Sequence, residues 1–72
     1  MNAKTARALL VGDFVIAPFS NSHRRAQIIS IEWPHFRVGT TLKNGEKRIQ
    51  FNRYQALWLE DEYVRTYGDY NH

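Results

Sequence analysis

Apolar and polar residues alternate with a period near two through the middle of the chain and fall at helical spacing only toward its ends. Residues 2–10 put Ala6, Leu9 and Leu10 at helical spacing, in a stretch too short to hold a helix without docking. Val11-Gly12-Asp13 predicts a turn into a strand over 14–19, with Pro18 near the end, where a missing N–H is tolerated. Ser20-Asn21-Ser22-His23 is a polar loop, and the β-branched run over 25–33 predicts a second strand that Pro34 stops. Residues 36–43 and 46–51 flank Asn44-Gly45, the pair suited to a two-residue type I′ hairpin turn. In that register Thr40 faces Ile49 and Val38 faces Phe51. One face then holds Val38, Thr40, Leu42, Ile49 and Phe51, and the other Arg37, Thr41, Lys43, Glu46, Arg48 and Gln50. Residues 52–59 fit either a helix capped by Asn52 or a 3₁₀ turn followed by a short closing strand over 57–59. Residues 60–72 are acidic and rich in tyrosine (Tyr63, Tyr67, Tyr70), with a helix expected to end near Gly68 and a frayed end beyond it.

The expected fold is therefore mainly β: a small antiparallel barrel of about five strands. It comprises an N-terminal extension over 1–10, the barrel over 11–59 and the acidic, tyrosine-rich tail over 60–72. Seventy-two residues allow one core, and a chain of this size buries only about 60% of its unfolded surface. With no cysteine there is no disulfide framework and no thiolate ligand or nucleophile. No apolar run approaches the ~20 residues of a membrane helix, and no secretory leader is evident, so a cytoplasmic, non-membrane protein is expected.

Charge sharpens the picture. Residues 1–53 carry nine basic against three acidic residues, and residues 54–72 one basic against four acidic. A basic body with an acidic tail fits nucleic-acid binding; it also fits an ordinary solvated surface.

Val11-Gly12-Asp13-Phe14-Val15, followed by Ala26-Gln27-Ile28-Ile29-Ser30-Ile31, resembles the entry of SH3-like barrels of the Tudor and KOW type, over residues 11–59. The resemblance implies the fold, which hosts many functions. The loop over 20–25 lacks the glycines of a KOW element. Phe19, Trp33 and Phe36 lack the acidic partner of a Tudor cage, Glu32 being the only one near. The chain is also similar to the plasmid-borne type II dihydrofolate reductases, whose last strand lines the pore of a tetramer. Gln50 in Ile49-Gln50-Phe51-Asn52 matches that strand, whereas Asn52 replaces its tyrosine. Ile16, Ala17 and Pro18 stand where its lysines follow the first valine, so this likeness implies the fold without the chemistry.

No residue pattern identifies a reaction. His23, His35 and His72 lack metal-ligand spacing, Glu60, Asp61 and Glu62 point in different directions, and there is no phosphate loop or nucleophile elbow. A non-enzymatic domain without cofactor or metal is expected. Its candidate nucleic-acid site, for RNA or DNA, comprises Arg24 and Arg25 at the start of the second strand and Arg37, Lys43 and Arg48 on the outward hairpin face. Trp33 and Phe36, flanking Pro34-His35, complete it as stacking platforms. The same rings, with Phe51 and Trp58, equally suit the ends of a small core. The alternative function is a protein-interaction or host-modulating accessory module, of phage or mobile-element type, docking through the aromatic, acidic C-terminal segment.

Overall fold

A computed structural model describes residues 1–20 and 22–68. Its elements are α1 (Ala3–Arg7), β1 (Phe14–Phe19), β2 (Ser22–Glu32), β3 (His35–Thr41), β4 (Lys47–Arg53), a 3₁₀ turn (Tyr54–Ala56) and α2 (Glu60–Tyr67). The four strands form one antiparallel sheet in the order β1-β2-β3-β4. Among the described residues no helix is long and apolar enough to cross a membrane. Asp69, Tyr70 and His72 of the expected tail, and Asn21 of the first loop, lie outside the described residues.

Local chemistry accounts for the ends of the elements. The Asn2 side chain accepts the Thr5 N–H at 2.8 Å and caps α1, and the buried Ala6 and Leu9 anchor that single turn on the sheet. In the turn before β1 the Leu10 N–H donates to Asp13 Oδ2 at 2.9 Å. Gly12 there takes φ +97°, a left-handed conformation that favours glycine. Glu60, Asp61 and Glu62 occupy the first turn of α2, where carboxylates complement the helix dipole. Gly68, at φ +80°, closes α2 by donating to the Val64 carbonyl at 2.8 Å.

The β3–β4 hairpin differs from the expected one by a single residue. The Leu42 N–H donates to the Glu46 carbonyl at 2.7 Å and the Gly45 N–H to the Leu42 carbonyl at 2.9 Å. The loop is therefore Lys43-Asn44-Gly45, with Gly45 at φ +86° and Asn44 on the ordinary side. This is the three-residue hairpin that ends on a left-handed glycine, and it replaces the type I′ turn, which needs positive φ at both central residues. One more loop residue shifts the register by one, so Gly39 opposes Ile49, Val38 opposes Gln50 and Arg37 opposes Phe51. A shift of one turns every side chain of the second strand to the other face. Arg48, Gln50 and Asn52 consequently point inward, half-buried, while Lys47, Ile49, Phe51 and Arg53 point outward, the reverse of the expected assignment.

The inner face gathers Val15, Ala17, Phe19, Ala26, Ile28, Phe36 and Val38, covered from outside the sheet by Ala6, Leu9 and Leu57. The sheet coils until its two terminal strands approach each other. Gln50 of β4 donates a hydrogen bond to the Pro18 carbonyl of β1, and its Nε2 lies 3.1 Å from Asn52 Oδ1. β1 is buried on both faces: Val15, Ile16 and Ala17 are all inaccessible, and α2 lies against the strand, which accounts for its unbroken apolar run.

Of the two readings of residues 52–59, the 3₁₀ turn is the one that forms. The closing strand expected over 57–59 contributes a single bridge: the Ile16 and Trp58 backbones exchange hydrogen bonds of 2.9 and 3.0 Å. The described residues thus form one unclosed four-stranded sheet with two helices. α2 is fastened by Tyr63, whose ring lies 5.0 Å from that of His23 and 5.9 Å, edge-on, from Trp58.

Two measurements check the hairpin. Cysteines at Thr41 and Lys47, directly opposed here, are expected to form a disulfide on mild oxidation, whereas cysteines at Thr41 and Arg48, the pair of a two-residue turn, are not. Gly45→Ala, which forces a β-carbon into the left-handed region, is expected to cost about 1–2 kcal/mol in urea denaturation.

Candidate nucleic-acid interface

The outward face of β2, β3 and β4 carries apolar and aromatic groups ringed by cations. Ile49 and Phe51 are exposed at 58% and 50%, and Ile29 of β2 at 43%. Ile29 lies on this face by alternation, two residues along β2 from Gln27, which opposes Gly39; the β2–β3 register slips just beyond Ile28, so that Ser30 comes to stand opposite Arg37 on the same side. Gly39 makes room for Ile29: a β-carbon there would meet Ile29 Cδ1 at 2.8 Å. His35 stacks flat on Phe51, with centroids 4.8 Å apart and planes 7° from parallel, and the Arg37 guanidinium lies 5.4 Å from the Phe51 centroid. Beside this group an open pocket of about 370 Å³ is lined by Gln27, Ile29, Gly39, Thr41, Lys47 and Ile49.

Lys47, Arg37 and Arg53 give the face its charge. Glu32, 3.4 Å from Arg37, is the carboxylate it meets there. That ion pair is half-exposed on both sides and worth at most about 1 kcal/mol, so it is readily exchanged for another anion. Exposed rings with cations at their edge suit a flat, unpaired base flanked by phosphates. Base–aromatic stacking contributes about 1–3 kcal/mol per base, and phosphate contacts add affinity without sequence preference.

The seven residues singled out in the sequence do not come together on this face. Arg37 lies on it, and Lys43 is exposed in the hairpin loop. Arg48 faces inward as a result of the register shift and pairs with Glu46 at 3.2 Å, so Glu46 is paired with Arg48, not with the Lys43 expected opposite it. Arg24 also leaves β2 on the inner side, the side of the buried Ala26 and Ile28 with which it alternates. Arg25 is taken up within the fold: its guanidinium lies 3.8 Å over the Phe14 ring and 3.3 Å from Glu60 of α2. Phe36 is wholly inaccessible and belongs to the core. Trp33 is partly exposed, but Tyr54 stacks on it at 5.0 Å and Arg7 sits 4.9 Å from its centroid, so its ring is engaged by the chain itself.

The members of the face that sequence reasoning missed are His35, Lys47, Phe51 and Arg53, together with Ile29 and Ile49. The signal was present as parity: Lys47, Ile49, Phe51 and Arg53 alternate in one strand, and the loop length decides whether that set points in or out. The C-terminal segment expected to dock a partner is partly spent inside the fold, where Tyr63 is buried and Tyr67 packs edge-on against Trp58 at 5.4 Å. No family model, curated protein or solved structure matches this chain.

The two phenylalanines are expected to respond in opposite ways to truncation. Phe36→Ala removes a core ring and is expected to cost about 3–5 kcal/mol in urea denaturation. Phe51→Ala, on the exposed face, is expected to cost no more than about 1 kcal/mol.

Proposed function

We propose that this chain is a small, non-enzymatic nucleic-acid-binding domain of SH3-like type that takes single-stranded RNA or DNA on the outward face of β2, β3 and β4. The observation that carries the reading is the orientation of β4, which holds Phe51, stacked on His35, in solvent with Lys47 and Arg53 on the same side. A strand whose apolar members face water while its polar members line the interior needs a ligand for the exposed side. A single strand fits better than a duplex, because stacking on Phe51 and His35 requires bases free of their partners. The SH3-like assignment is supported by the succession of four antiparallel strands, the 3₁₀ turn and the return of Trp58 to β1.

Fluorescence anisotropy with single- and double-stranded oligonucleotides at two salt concentrations tests the proposal. Phe51→Ala is expected to weaken single-strand binding by roughly 5- to 100-fold, the loss of one stacked base. Lys47→Ala combined with Arg53→Ala is expected to flatten the slope of log K against log salt by about 1.4, some 0.7 for each phosphate left without its cation. Absence of single-strand binding at low salt, or a duplex preference indifferent to Phe51→Ala, would overturn it.

A further inference from the structure

We propose a second binding site, on the inner side of β4: a cleft of about 230 Å³ between the end of β1, the start of β2 and the β3–β4 hairpin that takes a phosphoryl group. Ser20, Ser22, Arg24 and Arg48 supply its polar lining, and Phe19 and Leu42 its apolar wall. The site stands on its own observations, and only the oligonucleotide arm of its test rests on the outer-face reading.

The register brings the two arginines to this side. Arg24 opposes Ala17 and Arg48 opposes Thr40, so each leaves its strand toward the interior near the open end of the coiled sheet. Both arginines are only partly buried, so each guanidinium stays charged and open to an anion entering the cleft. Arg48 has Glu46, whereas Arg24 has no ion-pair partner among the described residues. Its neighbour Arg25 is accounted for by Glu60 and Phe14, so of the adjacent pair one arginine serves the fold and the other does not.

Two guanidinium groups facing one carboxylate leave the cleft with a positive excess beside two serine hydroxyls. The planar fork of an arginine engages two oxygens of one anion at once. A tetrahedral phosphoryl group has oxygens enough for two such forks and for the hydroxyls, and a carboxylate does not. The group can arrive as free phosphate or as the terminal phosphate of a nucleic acid. Arg48 borders both sites, since its carbonyl lies 3.7 Å from the β-carbon position of Gly39 on the outward face.

The test titrates the full chain with inorganic phosphate, followed by amide and arginine side-chain NMR, in parallel with one oligonucleotide carrying a 5′-phosphate or a 5′-hydroxyl. Saturable shifts are expected at Phe19, Ser22, Arg24, Leu42 and Arg48. Arg24→Gln, with its fold checked by circular dichroism, is expected to weaken phosphate binding at least tenfold, roughly the loss of one charged hydrogen-bonding partner. Arg24→Lys keeps the charge without the fork and is expected to recover part of it. A 5′-phosphate that tightens oligonucleotide binding in the wild type but not in Arg24→Gln identifies a nucleic-acid end as the occupant. Arg24-dependent phosphate binding with no such effect identifies free phosphate. The same binding with no oligonucleotide bound at all retains the cleft and removes the outer-face reading. No response to phosphate, or an equal response from wild type and Arg24→Gln, overturns the site.

Discussion

The hairpin loop Lys43-Asn44-Gly45 is the constraint on which the rest of this small fold turns. A tight reversal with one left-handed residue, Gly45, encloses three residues where two left-handed residues would have enclosed two. Because side chains alternate along a strand, that one residue decides which half of β4 meets the core and which half meets water. Phe36 and Val38 of β3 keep their places inside, but across the ladder they meet Asn52 and Gln50, where the two-residue turn would have set Val38 against Phe51 and Thr40 against Ile49. The hydrophobic effect alone favours the other register, by the transfer of two large apolar side chains.

The observed register is tolerated because of where β4 lies. It stands at one end of the strand order, and the coiled sheet brings it toward β1 without closing on it, so its inward side borders an opening and not a sealed core. Half-buried amides and a guanidinium remain satisfiable there. Gln50 meets the Pro18 carbonyl and Asn52, Arg48 meets Glu46, and no buried side-chain polar atom among the described residues lacks a partner. The sealed part of the core lies elsewhere, between β1, β2 and β3 under α1 and Leu57. Inverting β4 thus costs little interior packing and produces a surface with two unlike sides. Outside are rings and aliphatic groups edged by Arg37, Lys47 and Arg53; inside is a polar cleft holding Arg24 and Arg48. Both sides suit parts of one kind of ligand, planar bases on the first and tetrahedral oxyanions on the second.

Much of the architecture was legible in the residues themselves. A short helical turn within residues 2–10, the strand over 14–19, a reversal at Asn44-Gly45 and a helix ending near Gly68 follow from local propensity, which acts on neighbours in sequence; the 3₁₀ turn was one of two readings that propensity left open. The candidate site was much less legible. Phe36, read as a stacking platform, is the largest fully buried side chain, and Phe51, read as core, is half-exposed. Only Phe51 changed sides with the hairpin register, because the Asn-Gly pair fits both hairpin geometries; Phe36 shares the inner face with Val38 in either register and was read instead as part of a protruding turn. Arg24 and Arg25 are adjacent and chemically alike. They diverge only because alternate faces of β2 look toward different neighbours, α2 and Glu60 on one side and the open cleft on the other.

By itself, then, the sequence determined that this is a mainly β chain with short helices at its ends, that its reversals fall at Gly12 and Gly45, and that cations crowd its body while acids gather toward its end. Those properties depend on composition and on interactions a few residues apart. Which residues share a face, which arginines are already paired and which ring meets solvent were decided only in three dimensions. They depend on a register difference of one residue, and on the approach of strands distant in sequence that exchange hydrogen bonds such as that from Gln50 to Pro18.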